Sequence, residues 1–211
     1  MRAGDDSARL PDRGLYAITP AHCTDTRALL QAVEAAIRGG AVMVQYRAKR
    51  NAQRAQALAL RNMCGRHRVP LIVNDDAALA RDIDAAGVHL GRDDMSIAAA
   101  RVLLGDRAIV GVSCYDELQR AIEAERDGAS YVAFGSFYPS KTKPGAVRAG
   151  VELLRQAAAL LNIPIVAIGG ITPENGGTLL GAGADLTAVS DGLFGREDPE
   201  VAARRYASMF R

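Results

Sequence analysis

Residues 32–49, AVEAAIRGGAVMVQYRAK, contain the transition on which the reading of the fold turns. A segment of helical period at 26–38 is closed by glycine, Gly40-Ala41 re-enters a sheet, and the apolar, β-branched run at 42–46 has the length and composition of a strand. The same succession repeats in both directions. Strands are expected at 15–18, 42–46, 71–73, 88–90, 109–112, 131–134, 165–168 and 186–189. Helices are expected between and after them, at 26–38, 52–66, 77–82, 97–104, 116–126, 151–159, 173–181 and 201–210. Gly87-Val88, Gly128-Ala129 and Gly183-Ala184 repeat the helix-ending turn. Alternating β/α units build a parallel sheet, and eight of them close it on itself, where an open doubly wound sheet usually stops at about five or six strands. The expected fold is a single (β/α)8 TIM barrel spanning 15–211, behind a loose, partly disordered N-terminal tail at 1–14.

Bulk properties agree with one compact domain of this kind. The chain has 211 residues, 49% of them hydrophobic, enough to bury a sizeable core. With 26 basic and 24 acidic residues its net charge is +2, which gives no reason to expect nucleic acid or a membrane surface as partner. Cys23, Cys64 and Cys114 are too scattered for a disulfide framework, and no Cys or His spacing suits zinc. The first fourteen residues are polar and charged, without the apolar run of a signal peptide or anchor. A cytoplasmic protein acting on small molecules is expected, and a homo-oligomer is left open.

In such a barrel the loops leaving the C-terminal ends of the strands build the active site. After the second strand, period-2 spacing puts Gln45, Arg47 and Lys49 on one side, two cations and an amide suited to a phosphate or diphosphate. The alternative is a strand fraying into a solvated helix start. Asn74-Asp75-Asp76 and Gly91-Arg92-Asp93-Asp94 follow neighbouring strands, so Asp75 and Asp94 can share Mg²⁺. Each cluster also precedes a helix, where Asp serves equally well as an N-cap.

After the sixth strand comes a long polar loop, 135–145, in which Ser140, Thr142 and Lys143 are candidate phosphate donors on a closing lid. Gly169-Gly170, with Thr172 as cap and Pro173 as first helical residue, and Ser190 after the last strand match the usual phosphate site of the barrel. Ser113 faces the same mouth, or caps the next helix. His89, alone within the fourth strand, reads as a satisfied core residue, while His22 and His67 suggest no function.

Taken in order, VQYRAK, LIVND, GVHLGRDD, GVS, YVAFGSFYPSKTK, AIGGIT and AVS resemble the motifs of the thiamine-phosphate synthase family, from Leu15 to about Gly192. The resemblance implies a Mg²⁺-dependent transferase. It would join 4-amino-5-hydroxymethyl-2-methylpyrimidine diphosphate to 4-methyl-5-(2-phosphoethyl)thiazole, in carboxylated or decarboxylated form, and release pyrophosphate. On that resemblance Gln45, Arg47, Lys49 and Asn74 hold the diphosphate, Asp75 and Asp94 bind the metal, and Ser113 contacts the pyrimidine. Ser140, Thr142 and Lys143 meet the thiazole phosphate and the leaving group, while Gly170, Val189 and Ser190 cradle the thiazole phosphate. Arg47, Lys49 and Lys143 carry the catalytic charge stabilisation.

Four positions depart from the common pattern: Arg92 for glutamine, Tyr115 for histidine, Ser140 for threonine and Asp191 for alanine. Arg92 adds a cation near the expected metal site, and Asp191 a negative charge beside the expected anion site. The rival readings are a related thiazole tautomerase, which would not need the diphosphate and metal set, and a catalytically silent phosphate-binding barrel.

Overall fold

The computed structural model describes residues 9–48, 53–139 and 147–211, and in it eight parallel strands close into a barrel in sequence order. The strands are β1 (Gly14–Ile18), β2 (Ala41–Tyr46), β3 (Leu71–Asn74), β4 (Gly87–Leu90), β5 (Ile109–Tyr115), β6 (Tyr131–Phe134), β7 (Ile165–Ile168) and β8 (Leu186–Val189). Around them lie α1 (Thr26–Arg38), α2 (Arg54–Arg66), α3 (Ala77–Asp82), α4 (Ile97–Leu104), α5 (Leu118–Arg126), α6 (Val151–Leu160), α7 (Gly176–Leu180), α8 (Asp191–Phe194) and α9 (Pro199–Ala207). None of the described helices is long and apolar enough to cross a membrane.

Alternation along each strand separates two cores. Tyr16, Met43, Ile72, Ile109, Tyr131, Val166 and Leu186 fill the barrel interior, while Leu15, Val44, Val73, Val88, Val110 and Val132 take the opposite parity and pack under the helices. Continuing the inward parity past the last interior layer reaches Gln45, Asn74, Ser113 and Ser190, so these expected site residues stand over the barrel axis.

Several helix ends differ from expectation. The expected helix 173–181 begins only at Gly176. Asn175 accounts for the delay: its side chain accepts from the Thr172 N–H at 2.8 Å and donates to the Gly170 carbonyl at 3.1 Å, holding 170–175 as a turn. The last helix starts before 201 because Asp198 caps it, accepting from the Glu200 and Val201 N–H groups, with Pro199 in the first turn. It ends in a 3₁₀ turn, Ser208–Phe210. The short helix α8 was not expected, and α2 and α5 each begin two residues later than read. Residues 1–8 of the expected tail lie outside the described residues, whereas Leu10 packs against the interior cluster.

Gly111 shows how tightly the interior is filled. A Cβ there would lie 2.0 Å from Cζ of Tyr131 and 2.3 Å from its hydroxyl, so the bare backbone of β5 is what admits the tyrosine ring. Gly111→Ala is expected to destabilise the fold by about 1–3 kcal/mol, the usual cost of overpacking a core. Urea unfolding of the variant beside the wild type measures this, and an unchanged midpoint would contradict it.

Candidate active site

Two acidic side chains meet at the ends of β3 and β4. Asp75 takes φ +66, a left-handed conformation that Asp tolerates better than most residues, and its N–H donates to the His89 carbonyl at 2.8 Å. Neither it nor Asp94 serves as a helix cap. Asp76 caps α3 by accepting from the Leu79 N–H at 2.8 Å, and Ser96 caps α4 by accepting from Ala99 at 3.2 Å. Asp94 instead turns back and accepts from the Gly91 N–H at 2.6 Å.

Partial burial first, and then the charge of Asp94 and a hydrogen bond with it, push the Asp75 carboxyl up to about 6, against the pull of Arg47 and Asn74. Asp75 still has substantial solvent contact, so water screens part of this repulsion. Two adjacent carboxylates of this kind can serve as donors to a hard divalent cation, which takes one or two carboxylates and completes its shell with water and substrate phosphate. Among the described residues no three His, Cys, Asp or Glu side chains gather, so the pair is an open set rather than a closed protein cage.

Arg47 is placed by a residue that sequence reasoning missed. Buried Thr19, just past β1, accepts from the Arg47 N–H at 2.9 Å and donates to its carbonyl at 3.4 Å, tying the exits of β1 and β2 together. Arg47 also borders a cavity of about 180 Å³ shared with Pro20, His22, Cys23 and Gln53. A larger groove, about 570 Å³, runs between α1 and α2 on the outside of the barrel and contains none of the expected site residues. Lys49, Ser140, Thr142 and Lys143 lie outside the described residues.

On the other side of the mouth, Gly170 takes φ +62. A Cβ on it would fall 2.3 Å from the Pro139 carbonyl oxygen and 2.7 Å from that of Tyr138, so no side chain fits between this turn and the loop after β6. That loop is anchored to β7: Phe137 N–H donates to the Ile168 carbonyl at 3.2 Å and Tyr138 N–H to that of Gly169 at 3.0 Å. Ser190 stands at the start of α8 with no side-chain capping bond, which leaves its hydroxyl for the mouth. The Val189 side chain packs in the outer core, so its contribution to the mouth is main chain.

Ser113 lies within β5 and caps no helix, since Glu117 occupies the cap of α5. Its hydroxyl lies 2.9 Å from His89 Nε2, and His89 Nδ1 lies 2.9 Å from the Tyr131 hydroxyl. The expectation of a satisfied core histidine is met, and one of its partners, Ser113, is an expected site residue. Arg120, also unforeseen, donates to the carbonyls of Ser113 at 2.8 Å and Gly91 at 3.3 Å, fixing the two strand ends against each other.

Two of the unusual residues prove to be one feature. The Arg92 guanidinium lies over the Tyr115 ring, 5.0 Å from its centroid, and pairs with Glu117. The Arg92 N–H also donates to the Tyr115 hydroxyl at 3.3 Å. The added cation is thus turned onto an aromatic face and a carboxylate. Asp191 curls over its own short helix, its Oδ1 lying where a Cβ on Gly195 would meet it at 2.7 Å.

A closed barrel whose catalytic mouth carries a carboxylate pair, an arginine and a glycine turn suited to an anion defines a (β/α)8 enzyme for phosphorylated substrates. The family model for thiamine monophosphate synthase matches residues 15–193. Among curated proteins, the chain is 53% identical over 203 residues to the thiamine-phosphate synthase of Methylococcus capsulatus, covering 95% of this chain and 90% of the relative. It is 51% identical to that of Thioalkalivibrio sulfidiphilus, covering 94% and 95%. The solved thiamine phosphate pyrophosphorylase of Pyrococcus furiosus superposes with a TM-score of 0.82 at 33% identity, covering 94% and 95%. The chain therefore belongs to the thiamine monophosphate synthase family.

Two outcomes follow from this geometry. Because the folded state raises the Asp75 pKa, the group contributes stability below about pH 4 that is lost as pH rises through about 6. In metal-free buffer Asp75→Asn should therefore melt above the wild type at pH 8, with the difference shrinking as pH falls to 4; equal gains at both pH values would contradict the repulsion. In a double-mutant cycle of Arg92→Gln and Tyr115→Leu, which removes the ring, a coupling of about 0.5 kcal/mol is expected for the stacked pair, and strict additivity would show the contact to be energetically idle.

Proposed function

We propose that this chain condenses 4-amino-5-hydroxymethyl-2-methylpyrimidine diphosphate with 4-methyl-5-(2-phosphoethyl)thiazole to give thiamine phosphate and pyrophosphate. What supports the reading is the Asp75–Asp94 pair beside Arg47 at one part of the barrel mouth, and the Gly170 turn with Ser190 at the ends of β7 and β8: a set suited to a cation and a diphosphate, and another suited to a phosphate. Family membership supports it over a tautomerase or a silent barrel, neither of which needs the first set.

In the reaction the bond from the pyrimidine methylene carbon to the diphosphate oxygen breaks, its electron pair leaving with pyrophosphate, and the thiazole nitrogen donates the pair that forms the new C–N bond. Asp75 and Asp94 would hold Mg²⁺, which supplies charge neutralisation to the diphosphate when bound. Arg47 adds a bidentate cation on the leaving side, with Lys49 and Lys143 in the same role from their loops. Asn74 stands on the inward face of β3 at the diphosphate. Gly170, the main chain of Val189 and the Ser190 hydroxyl take the thiazole phosphate, a role the family resemblance extends to Ser140 and Thr142. Gln45 joins Arg47 and Asn74 toward the diphosphate, and Ser113 meets the pyrimidine. No general base is required, because electrostatic stabilisation and alignment of the two rings carry the rate. Both substrates are charged small molecules, and we place the reaction in the cytosol.

Pyrophosphate release from the purified chain should require both substrates and Mg²⁺ together. Asp75→Ala should lower it by at least about a hundredfold, the scale of losing a preorganised charge-stabilising group, while leaving the protein folded. Absence of release from folded wild-type protein across a range of Mg²⁺ would sink this assignment.

A further inference from the structure

Five side chains, each from a different strand, form a continuous line of hydrogen bonds beneath the mouth. Gln45 Nε2 donates to the Tyr16 hydroxyl at 2.8 Å, and the Tyr16 and Tyr131 hydroxyls are 2.9 Å apart. Tyr131 is 2.9 Å from His89 Nδ1, and His89 Nε2 is 2.9 Å from Ser113 Oγ. The Tyr16 ring meets that of Tyr131 edge-on, and the His89 ring stacks on Tyr131 with centroids 5.6 Å apart, so the partners are also held by packing.

The first bond fixes the direction of the others. An amide nitrogen can only donate, so Tyr16 accepts from Gln45 and passes its own proton to Tyr131. Tyr131 then donates to Nδ1. A neutral imidazole that accepts at Nδ1 carries its proton on Nε2, and so donates to Ser113. Burial raises both tyrosine hydroxyls above their ordinary range, so each keeps its proton and the line does not break by ionisation. At its two ends the line leaves complementary groups: the Gln45 amide oxygen, which has no donor among the described residues, and the Ser113 hydroxyl proton. Turning the Gln45 amide over would reverse every bond and swap the two ends together.

We infer that this line sets the polarity of the ring pocket, making Gln45 an acceptor and Ser113 a donor, with Tyr16, Tyr131 and His89 as positioning residues that select an aminopyrimidine. The inference rests on the proposed pyrimidine substrate for its ligand, whose amino group donates and whose ring nitrogen accepts. It also moves Gln45 from the diphosphate to the ring, because a carbonyl oxygen would repel the diphosphate.

Long-range ¹H–¹⁵N correlation of the full chain without substrate, with His89→Gln to assign the signal among three histidines, reads the tautomer directly. The expected form is protonated at Nε2; protonation at Nδ1 would overturn the inference, whether or not the chain releases pyrophosphate. Tyr131→Phe keeps the ring and removes the central hydroxyl. It should raise KM for the pyrimidine diphosphate about tenfold, the scale of one buried hydrogen bond, with KM for the thiazole phosphate unchanged. It should also cut discrimination against the 4-oxo analogue by about tenfold. His89→Gln, whose amide can donate where Nε2 does, should retain more discrimination than His89→Leu. Unchanged discrimination in a folded Tyr131→Phe protein would likewise overturn it.

Discussion

The constraint on which the rest depends is the period of two along strands that are closed into a barrel. Once Met43 and Ile72 face the interior, Gln45 and Asn74 must face it one layer higher, because each successive side chain changes sides. Closure removes the freedom to slip. A shift of one residue in β2 would place Val44 and Tyr46 inside and send Gln45 and Arg47 under the helices, where Arg47 would be a buried charge without a partner. Selection for an apolar interior and selection for a polar mouth thus act on the same parity, and each protects the other.

Against this rigid frame the mouth holds electrostatic tension. Asp75 adopts a left-handed backbone conformation beside a second carboxylate, and the main-chain bond to His89 keeps it there. Placing such a pair costs stability when no cation is present, and the cost is tolerable because both residues sit at strand ends whose other bonds are satisfied. Arg120 ties the ends of β4 and β5 together, and Thr19 those of β1 and β2.

The strands were legible because short apolar runs bounded by glycine turns admit few other readings, and the inward site residues followed from their spacing. Helix starts were less so. Val201 looked like the beginning of the last helix because the apolar period begins there, yet the Asp198–Pro199 cap opens it earlier. Thr172-Pro173 carried a strong start signal that Asn175 overrode through two side-chain bonds formed with a turn whose shape no local pattern reveals. Tyr16 and Tyr131 were read only as strand residues, since their hydroxyls acquire meaning from partners 29 to 115 positions away. Arg92 and Tyr115 looked like two separate departures for the same reason: the contact between them exists only once β4 and β5 are neighbours.

A polar line through the interior of a small barrel is an expensive choice. Leucine and phenylalanine in place of His89 and Tyr131 would avoid the desolvation of the hydroxyl and imidazole, and a single unpaired member would cost about 1–3 kcal/mol. The line persists without such a loss because Gly111 makes room for the Tyr131 ring and each buried polar atom along it finds a partner. Hydrogen-bond direction, unlike apolar contact, is transmitted from one member to the next. A hydrophobic floor of equal volume would support the mouth as well, but it would leave the amide of Gln45 and the hydroxyl of Ser113 free to turn independently, and the pocket would then present no fixed pattern of donor and acceptor to a ring.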